Sequence, residues 1–436
     1  MNVELMSVLF FGLLGGFLLL GTPLTFTLGG VSLVFLYFLW GTSSFFMIPS
    51  QIFGVMGSFT LVAIPLFVFM AMLLERSGVA EDLYESMYLW FGRINGGLAV
   101  GTCVICAVFA AMCGISGAAV VTMGTIALPS MLSRNYDKQL AIGAIMTGGG
   151  WGVLIPPSII MIVYALLSGE SVGKMFAGGV LPGLLLLVLV SAYILIRCFF
   201  QPYMGPAVPP ESRAGWNKKF TSLKSLILPI GIIVMVLGSI VMGLATPTEA
   251  AGMGVLGAAI ASAVHRKLTR QLISEASLQA LRTTGMIMWI IFGAHCFSAA
   301  YQALGASQLI YDLLGIIPGG PWGAIIFIQV ILFLLAMILD PAGIMMICVP
   351  IFVPYIKQLG FDPLWFGILF TINMEIGYMT PPFGFNLFYM KGIAPSTITM
   401  ADIYRSCIPY VIVSLVGLAI VMMVPELATW LPSVVF

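Results

Sequence analysis

The chain has 436 residues, of which 61% are hydrophobic and 8% are charged, and its formal net charge is +1. Soluble domains carry about 25% charged residues, so the composition excludes a soluble protein and predicts an all-α polytopic membrane protein in a lipid bilayer. We expect no nucleic-acid partner, because the sequence shows no basic patch that would indicate one.

Apolar stretches of roughly 20 residues, the length that crosses a bilayer as a helix, recur along the whole chain. In the first half they span residues 4–20, 24–41, 50–74, 97–112, 118–133, 140–166 and 176–199. In the second half they span residues 225–243, 247–264, 280–303, 320–338, 343–356, 365–390 and 405–425. The intervening segment 201–224 is polar, basic and rich in proline, so we expect it to be an interfacial connector.

The two sets of stretches are predicted to be structural repeats, comprising residues 1–200 and 225–436. Motifs recur between them at an offset of about 225 residues, as in Gly96-Gly97 with Gly319-Gly320, Pro129 with Pro354, and Pro156-Pro157 with Pro381-Pro382. Internal duplication of this kind is typical of transporter folds.

The distribution of Lys and Arg predicts that the second repeat is inverted relative to the first. Residues 197–224 and 265–282 are basic, whereas residues 41–57, the counterpart of 265–282, contain no Lys or Arg. Basic loops stay on the cytoplasmic side, so equivalent positions are expected on opposite sides of the membrane. Both terminal regions lack Lys and Arg and are expected outside. The first apolar stretch is predicted to be a retained helix rather than a signal peptide.

Residues 97–133 and 320–356 are each predicted to form a re-entrant helical hairpin, because the two apolar segments in each are joined too closely for a loop in water. The second join contains Asp340. A carboxylate at such a depth costs about 2.5–3.5 kcal/mol on insertion scales, and no Lys or Arg lies between residues 283 and 356. A bound cation such as Na⁺ is one predicted partner, and capping of the following half-helix is the alternative.

The two Pro-Pro pairs predict discontinuous helices within residues 140–166 and 365–390, because adjacent prolines remove two backbone donors. The half-helix after each break presents its positive end to the break, which favours an anion, and the freed carbonyls favour a cation. Asn386 adds an amide one turn after the second break. A simple kink is the alternative interpretation.

Other polar residues give weaker signals. Cys103 and Cys106 form a C-x-x-C pair inside an apolar segment and are interpreted as buried hydrophobic residues. His295 is interpreted as a core residue, and Thr246 as the cap of a helix start. For Glu375, before the second break, a functional role and a merely pore-facing position both stay open.

Together, these motifs resemble the large membrane subunit of tripartite ATP-independent periplasmic (TRAP) transporters. The resemblance covers essentially the whole chain and depends on residues 113–116, 123–129, 154–158, 245–252, 339–341 and 379–384. It implies an inverted-repeat, elevator-type transporter in the bacterial inner membrane, with both termini periplasmic. It also implies import of an organic acid anion (a C4-dicarboxylate, sialic acid or another sugar acid) coupled to Na⁺.

The resemblance implies two protein partners. One is a periplasmic substrate-binding protein. The other is a small four-helix membrane subunit, expected as a separate chain because this sequence begins directly with the first repeat.

Two Na⁺ sites follow from the same resemblance. The first would comprise Cys113, Gly114, Ile115, Ser116, Gly152, Ile155 and Pro157. The second would comprise Asp340, Gly377, Met379, Thr380 and Pro382. The residues expected to contact the substrate are Ser116, Ser158 and Asn386. Residues 113–116 read Cys-Gly-Ile-Ser where the family often has Ser-Gly-Ser-Ser, so the first site would use carbonyls and the Ser116 hydroxyl.

The sequence leaves open a Na⁺/dicarboxylate elevator carrier that works without a binding protein, and a channel is a further alternative. We expect no enzymatic activity. Intramembrane aspartyl proteolysis needs a carboxylate pair, but the pattern places no second intramembrane Asp opposite Asp340, and no His-Glu-x-x-His motif is present.

Overall fold

The computed structural model describes residues 3–209 and 215–436, and the regular structure in these ranges is helical throughout. The helices of the first half are α1 (Val3–Leu19), α2 (Leu24–Trp40), α3 (Ser44–Met56), α4 (Ala63–Glu75), α5 (Val79–Phe91), α6 (Gly97–Cys113), α7 (Ser116–Leu132), α8 (Lys138–Gly150), α9 (Ile159–Ser168) and α10 (Val172–Phe200). Those of the second half are α11 (Trp216–Ser222), α12 (Ile227–Ile233), α13 (Ser239–Val241), α14 (Pro247–Val264), α15 (Arg270–Ala303), α16 (Ala306–Gly315), α17 (Gly320–Ala336), α18 (Pro341–Gln358), α19 (Pro363–Tyr378), α20 (Phe385–Ile393), α21 (Met400–Met423) and α22 (Glu426–Val435).

Within the described ranges, seven helical segments are long and apolar enough to cross a membrane. The number rises to nine if each of two bent helix pairs counts as one span. The prediction of an all-α, multi-span protein is therefore confirmed.

Two helical segments have bounds that differ from those of the predicted apolar stretches. Residues 24–56 form one nearly continuous helical run, because the turn at Gly41–Ser43 tightens the helix without breaking it. The connector predicted at 201–224 becomes helical at Trp216 and continues into an apolar segment that ends at Val241. A basic residue is tolerated in this helix because the Lys219 ammonium lies over the rings of Trp90 and Trp216.

Two short helices, α5 and α16, were not predicted. They occupy equivalent places in the two repeats, and each forms a bent pair with a neighbour. The angle is 61° between the segment that ends at Glu75 and α5, and 113° between α16 and α17. Both are amphipathic and shorter than a membrane span, so a search for long apolar stretches passes over them.

The predicted helix pairs and interruptions are present. Helices α6 and α7 meet at residues 113–116 (tip 1), and α17 and α18 meet at residues 337–340 (tip 2). Residues 151–158 (break 1) interrupt α8 and α9, and residues 379–384 (break 2) interrupt α19 and α20. Both Pro-Pro peptide bonds are cis. The re-entrant placement of the tips in a bilayer remains a prediction.

Side-chain caps explain where several helices begin. Asp340 accepts a hydrogen bond from the Ala342 N–H at 3.0 Å, and Asp362 accepts one from Leu364 at 2.7 Å. A proline follows each aspartate at the first helical position, where it removes no hydrogen bond. Thr246 begins α14 with a capping box, which confirms its predicted role.

The two repeats interlock around the tips. Helix α20, which follows break 2, packs on α7 of the first hairpin, and α9, which follows break 1, packs on α18 of the second hairpin. Long helix α15 lies across α2, α4 and α18. The seven cysteines are buried and free, as interpreted for Cys103 and Cys106. Each helix that follows a break therefore packs against a hairpin of the other repeat.

Candidate functional site

The two tips face one cavity of about 380 Å³, which we call the central cavity. Its polar lining residues are Glu75, Ser116, Gln279, Thr283, Asp340, Tyr378 and Tyr389. The rest of the lining is mainly Met, Ile, Val, Gly and Ala. An apolar cavity of this size with a few convergent polar groups is typical of a site for a small organic ligand.

Tip 1 lies directly against break 1. Gly114 has a positive φ of 65°, and a Cβ added there would lie 2.3 Å from the Pro157 carbonyl oxygen. A Cβ added to Gly152 would lie 3.0 Å from the Ile115 oxygen. These backbone oxygens and the Ser116 hydroxyl are donors of the type that hard cations prefer. The types of donor atom at this junction are therefore compatible with Na⁺, and the first Na⁺ site remains a prediction.

Tip 2 lies against break 2 in the same way. A Cβ added to Gly377 would lie 2.2 Å from the Ala336 Cβ and 3.0 Å from the Ala336 oxygen. The Phe383 N–H donates to the Met337 oxygen at 3.2 Å. Asp340 lines the central cavity while it caps α18. Capping and cation binding are thus compatible at this carboxylate.

One hydrogen bond joins tip 1 to the other repeat. The buried Ser116 hydroxyl donates to the Asn386 side-chain oxygen at 2.8 Å. The Asn386 amide nitrogen donates to the Met146 carbonyl of α8 at 3.2 Å. Asn386 therefore holds three elements together, although it does not line the central cavity.

The two helix N-termini at the cavity differ in their capping. Helix α18 is capped by Asp340, whereas Ile115 at the N-cap of α7 makes no side-chain cap hydrogen bond. Gly117 and Ala118 in the first turn of α7 line the cavity. Free N–H groups and the positive end of the helix dipole make this terminus suited to a carboxylate.

Of the remaining residues predicted for the first Na⁺ site and for the substrate, Ile155 and Ser158 lie in break 1 and Cys113 lies in tip 1. The Ser158 hydroxyl donates to the Val153 oxygen at 2.5 Å and caps α9. Of the three residues predicted to contact the substrate, Ser116 lines the central cavity, and Ser158 and Asn386 do not. The Ile155 side chain packs against Gly183 of α10. Cys113 is fully buried at the end of α6.

The remaining residues of the second set lie around break 2. The Met379 sulfur accepts from the Thr147 hydroxyl at 3.4 Å. The Thr380 hydroxyl donates to the Ile376 oxygen at 2.6 Å. The Pro382 oxygen accepts from the Tyr404 hydroxyl at 3.2 Å.

Sequence reasoning missed five of the polar residues that line the cavity. They are Glu75, Gln279, Thr283, Tyr378 and Tyr389. A Cβ added to Gly117 would lie 2.8 Å from the Tyr389 ring, which places this ring beside tip 1. Glu75 directly follows the apolar stretch 50–74, and a carboxylate at the end of such a stretch could have been recognised as a candidate. Gln279 was missed because it lies just before a stretch that was predicted to start at residue 280.

Glu375 is fully buried in α19, and in the described ranges neither carboxylate oxygen has a hydrogen-bond partner. A Cβ added to Gly150 would lie 3.1 Å from its Oε1 atom. Glu375 does not line the central cavity. His295 has its Nε2 atom buried without a partner in the described part of the chain.

The family of the chain follows from comparison with known proteins. Residues 11–427 match the family model described as the DctM component of tripartite ATP-independent periplasmic transporters. The chain belongs to this TRAP large-permease family. The C4-dicarboxylate permease DctM of Vibrio cholerae is 33% identical over 98% of this chain and 97% of its own length.

Other TRAP large permeases show a similar degree of likeness. The ectoine permease TeaC of Halomonas elongata is 31% identical over 97% of each chain. The sialic acid permease SiaM of Vibrio cholerae is 28% identical over 96% of each chain. Among solved structures, the YdaH transporter of Alcanivorax borkumensis has a TM-score of 0.59 over 89% of this chain at 17% identity, and this likeness concerns the fold alone.

Membership of the TRAP family has consequences for location and partners. The chain is a multi-span permease, consistent with the bacterial inner membrane. As a large permease, it is expected to work with a small membrane subunit and a periplasmic binding protein.

Proposed function

We propose that this TRAP large permease imports an organic acid anion together with Na⁺. A periplasmic binding protein would deliver the substrate, and a separate small four-helix subunit would lie beside the permease. Relatives named for C4-dicarboxylates, sialic acid and ectoine support a small organic acid as the substrate class.

One observation carries this proposal. The uncapped N-terminus of α7 opens onto the central cavity, and the same tip supplies oxygens that contact break 1. An anion bound at the helix terminus and a cation bound among the oxygens would stabilise each other across a short distance in an apolar cavity. Substrate affinity would therefore depend on Na⁺, which is the basis of symport.

We propose that the hairpins and discontinuous helices move as one unit against α15 and its neighbours. Helices α7, α8 and α20 are joined through Ser116 and Asn386, which supports movement as a single body. The cavity residue Gln279 lies within the basic stretch 265–282 and Thr283 directly follows it, and the side of this stretch is expected to be cytoplasmic. This conformation would therefore be the one that faces the cytoplasm.

The membrane potential would drive import when net positive charge moves inward. Each elementary charge is worth about 2.3 kcal/mol per 100 mV. Two Na⁺ ions with a monoanion would carry one net charge, whereas two Na⁺ ions with a dianion would carry none. The number of charges moved per substrate therefore reports the charge of the substrate.

The test is uptake into liposomes that contain the permease and its small subunit, with the binding protein outside. We expect saturable uptake that requires an inward Na⁺ gradient and the binding protein. Uptake that is unchanged when K⁺ replaces Na⁺ would contradict the proposal. Na⁺-driven uptake of free substrate without the binding protein would instead favour the binding-protein-independent carrier, and non-saturable flux would favour a channel.

A further inference from the structure

The charges around the central cavity have one sign. Two carboxylates, those of Glu75 and Asp340, line the cavity, and no Lys, Arg or His is present among its described lining residues. A cavity built only for a dianion would be expected to present a cation to each carboxylate of its ligand. The Na⁺ sites proposed above use Asp340, which leaves the charge of Glu75 without an assigned partner.

Glu75 is placed where a carboxylate is unfavourable. It is the last residue of α4, where the helix dipole presents its negative end. No hydrogen bond or ion pair to Glu75 is found in the described ranges. The adjacent Arg76 turns to Glu275 instead and forms an ion pair with it. Among the described residues, Glu75 therefore interacts with a cation only through the nearby charge of Arg76, without a hydrogen bond or an ion pair.

A carboxylate and an anion-binding terminus thus line the same cavity. The uncapped start of α7 at residues 115–118 suits the carboxylate of a ligand, and Glu75 suits a positive group. The rings of Tyr378 and Tyr389 also line the cavity, and aromatic faces attract cations. A volume of about 380 Å³ accommodates a small organic acid that carries both groups.

We infer that the substrate of this permease is a zwitterionic organic acid, in which a carboxylate binds at tip 1 and an ammonium, amidinium or similar cationic group binds Glu75. The inference rests on the proposed function, because it keeps the carboxylate of the proposed organic acid and the same cavity, and narrows the substrate to acids that also carry a cationic group. It also fixes the charge balance, since two Na⁺ ions with a net-neutral substrate carry two charges inward.

The first experiment compares matched ligands on the purified permease with its small subunit. A library of organic acids is screened for thermal stabilisation in Na⁺ and in K⁺, and it includes two length-matched pairs, γ-aminobutyrate with succinate and δ-aminovalerate with glutarate. We expect the Na⁺-dependent stabilising ligands to carry a cationic group. A screen in which only purely anionic acids stabilise the protein, or in which no zwitterion does, would overturn the inference.

The second experiment uses variants. Glu75→Gln is expected to weaken binding of the best zwitterion about tenfold or more, which corresponds to about 1.4 kcal/mol, and Glu75→Asp is expected to retain most of the affinity. Glu170→Gln is the matched control, because it neutralises a carboxylate that pairs with Lys357, outside the cavity lining. Equal affinity in Glu75→Gln and wild type would contradict the role of Glu75. If Glu75→Gln fails to fold, the ligand screen on the wild-type protein decides.

The outcomes separate this inference from the proposed function. Na⁺-driven uptake of purely anionic acids, with zwitterions inactive, would leave the proposed function standing and overturn the inference. If no organic acid shows Na⁺-dependent stabilisation or uptake, both are overturned.

Discussion

The hydroxyl of Ser116 donates to the side-chain oxygen of Asn386 at 2.8 Å, although the two residues are 270 positions apart and belong to different repeats. Both side chains are buried at the junction of tip 1, α8 and α20. A buried hydrogen bond of this kind fixes the position of the tip relative to the second repeat. The wall of the central cavity is therefore built jointly by both repeats.

Replacing Ser116 by Ala should both destabilise the protein and weaken its response to Na⁺. The buried Asn386 oxygen loses its donor, which costs about 1–3 kcal/mol, and tip 1 loses its side-chain oxygen. We expect a lower apparent Tm and a several-fold higher Na⁺ concentration for half-maximal uptake. Ser262→Ala is the control, because Ser262 is equally buried but donates only to Ala258 within α14. The same Na⁺ dependence in both variants would contradict an ion site at tip 1.

Gly114→Ala tests the contact between tip 1 and break 1. A non-glycine residue in the left-handed region costs about 1–2 kcal/mol, and here the added Cβ would also meet the Pro157 oxygen at 2.3 Å. Gly169→Ala is a matched control, since its φ of 75° is similar but its surroundings are open. We expect both variants to lose stability and only Gly114→Ala to lose Na⁺-dependent uptake. Comparable transport losses in the two variants would show that backbone strain alone is responsible.

The interruptions of the helices were predictable because their cause is local. Adjacent prolines remove backbone donors wherever they occur, so Pro156-Pro157 and Pro381-Pro382 mark breaks 1 and 2 without knowledge of the packing. Asp340 was predictable for a similar reason, as a carboxylate in an apolar segment needs a partner. Both alternatives considered for it remain compatible with the structure, in which it caps α18 and also lines the cavity.

The contacts between repeats were not predictable because no local rule relates them. Nothing in the pattern around Ser116 points to Asn386, and the cavity role of Tyr389 depends on how α20 packs on α7. For helix α15, the prediction from hydropathy missed the start of the helix. Six of its first ten residues are polar or charged, so hydropathy placed its start near residue 280. In the structure, Thr269 caps the helix by accepting from the Leu272 N–H at 3.1 Å.

Asp340→Asn separates capping from ion binding. Asn caps helices about as well as Asp, so we expect the apparent Tm to change little. Loss of the charge should raise the Na⁺ concentration for half-maximal uptake about tenfold or more, or about 1.4 kcal/mol in binding. Asp362→Asn is the control, because Asp362 caps α19 before a proline in the same way but does not line the cavity. Unchanged Na⁺ affinity in Asp340→Asn would remove this residue from the second site.

The stability of the protein should include a component that depends on pH through His265. Its Nδ1 atom lies 2.8 Å from the Ala261 oxygen and its Nε2 atom lies 2.9 Å from the Asp82 carboxylate, so both nitrogens donate only in the charged form. Burial lowers the pKa of His265, whereas hydrogen bonds to Ala261 and Asp82 and the charges of Asp82 and Glu81 raise it. The net effect is a pKa above the ordinary value of 6.5. Because the folded pKa exceeds the unfolded one, the stabilisation is complete below the unfolded pKa and is lost as pH rises through the folded pKa.

The contribution of His265 should be less than about 1 kcal/mol, because Asp82 is half exposed and solvent screens the pair. We therefore expect His265→Gln to lower the apparent Tm at about pH 5.5 and to lower it less at about pH 8.5, where wild-type His265 is increasingly neutral. Asp82→Asn should reduce the same difference, because the neutral amide attracts the imidazolium less strongly. A Tm difference between wild type and His265→Gln that is constant across this range, or larger at alkaline pH, would show that the link between α14 and α5 does not depend on the charge of His265.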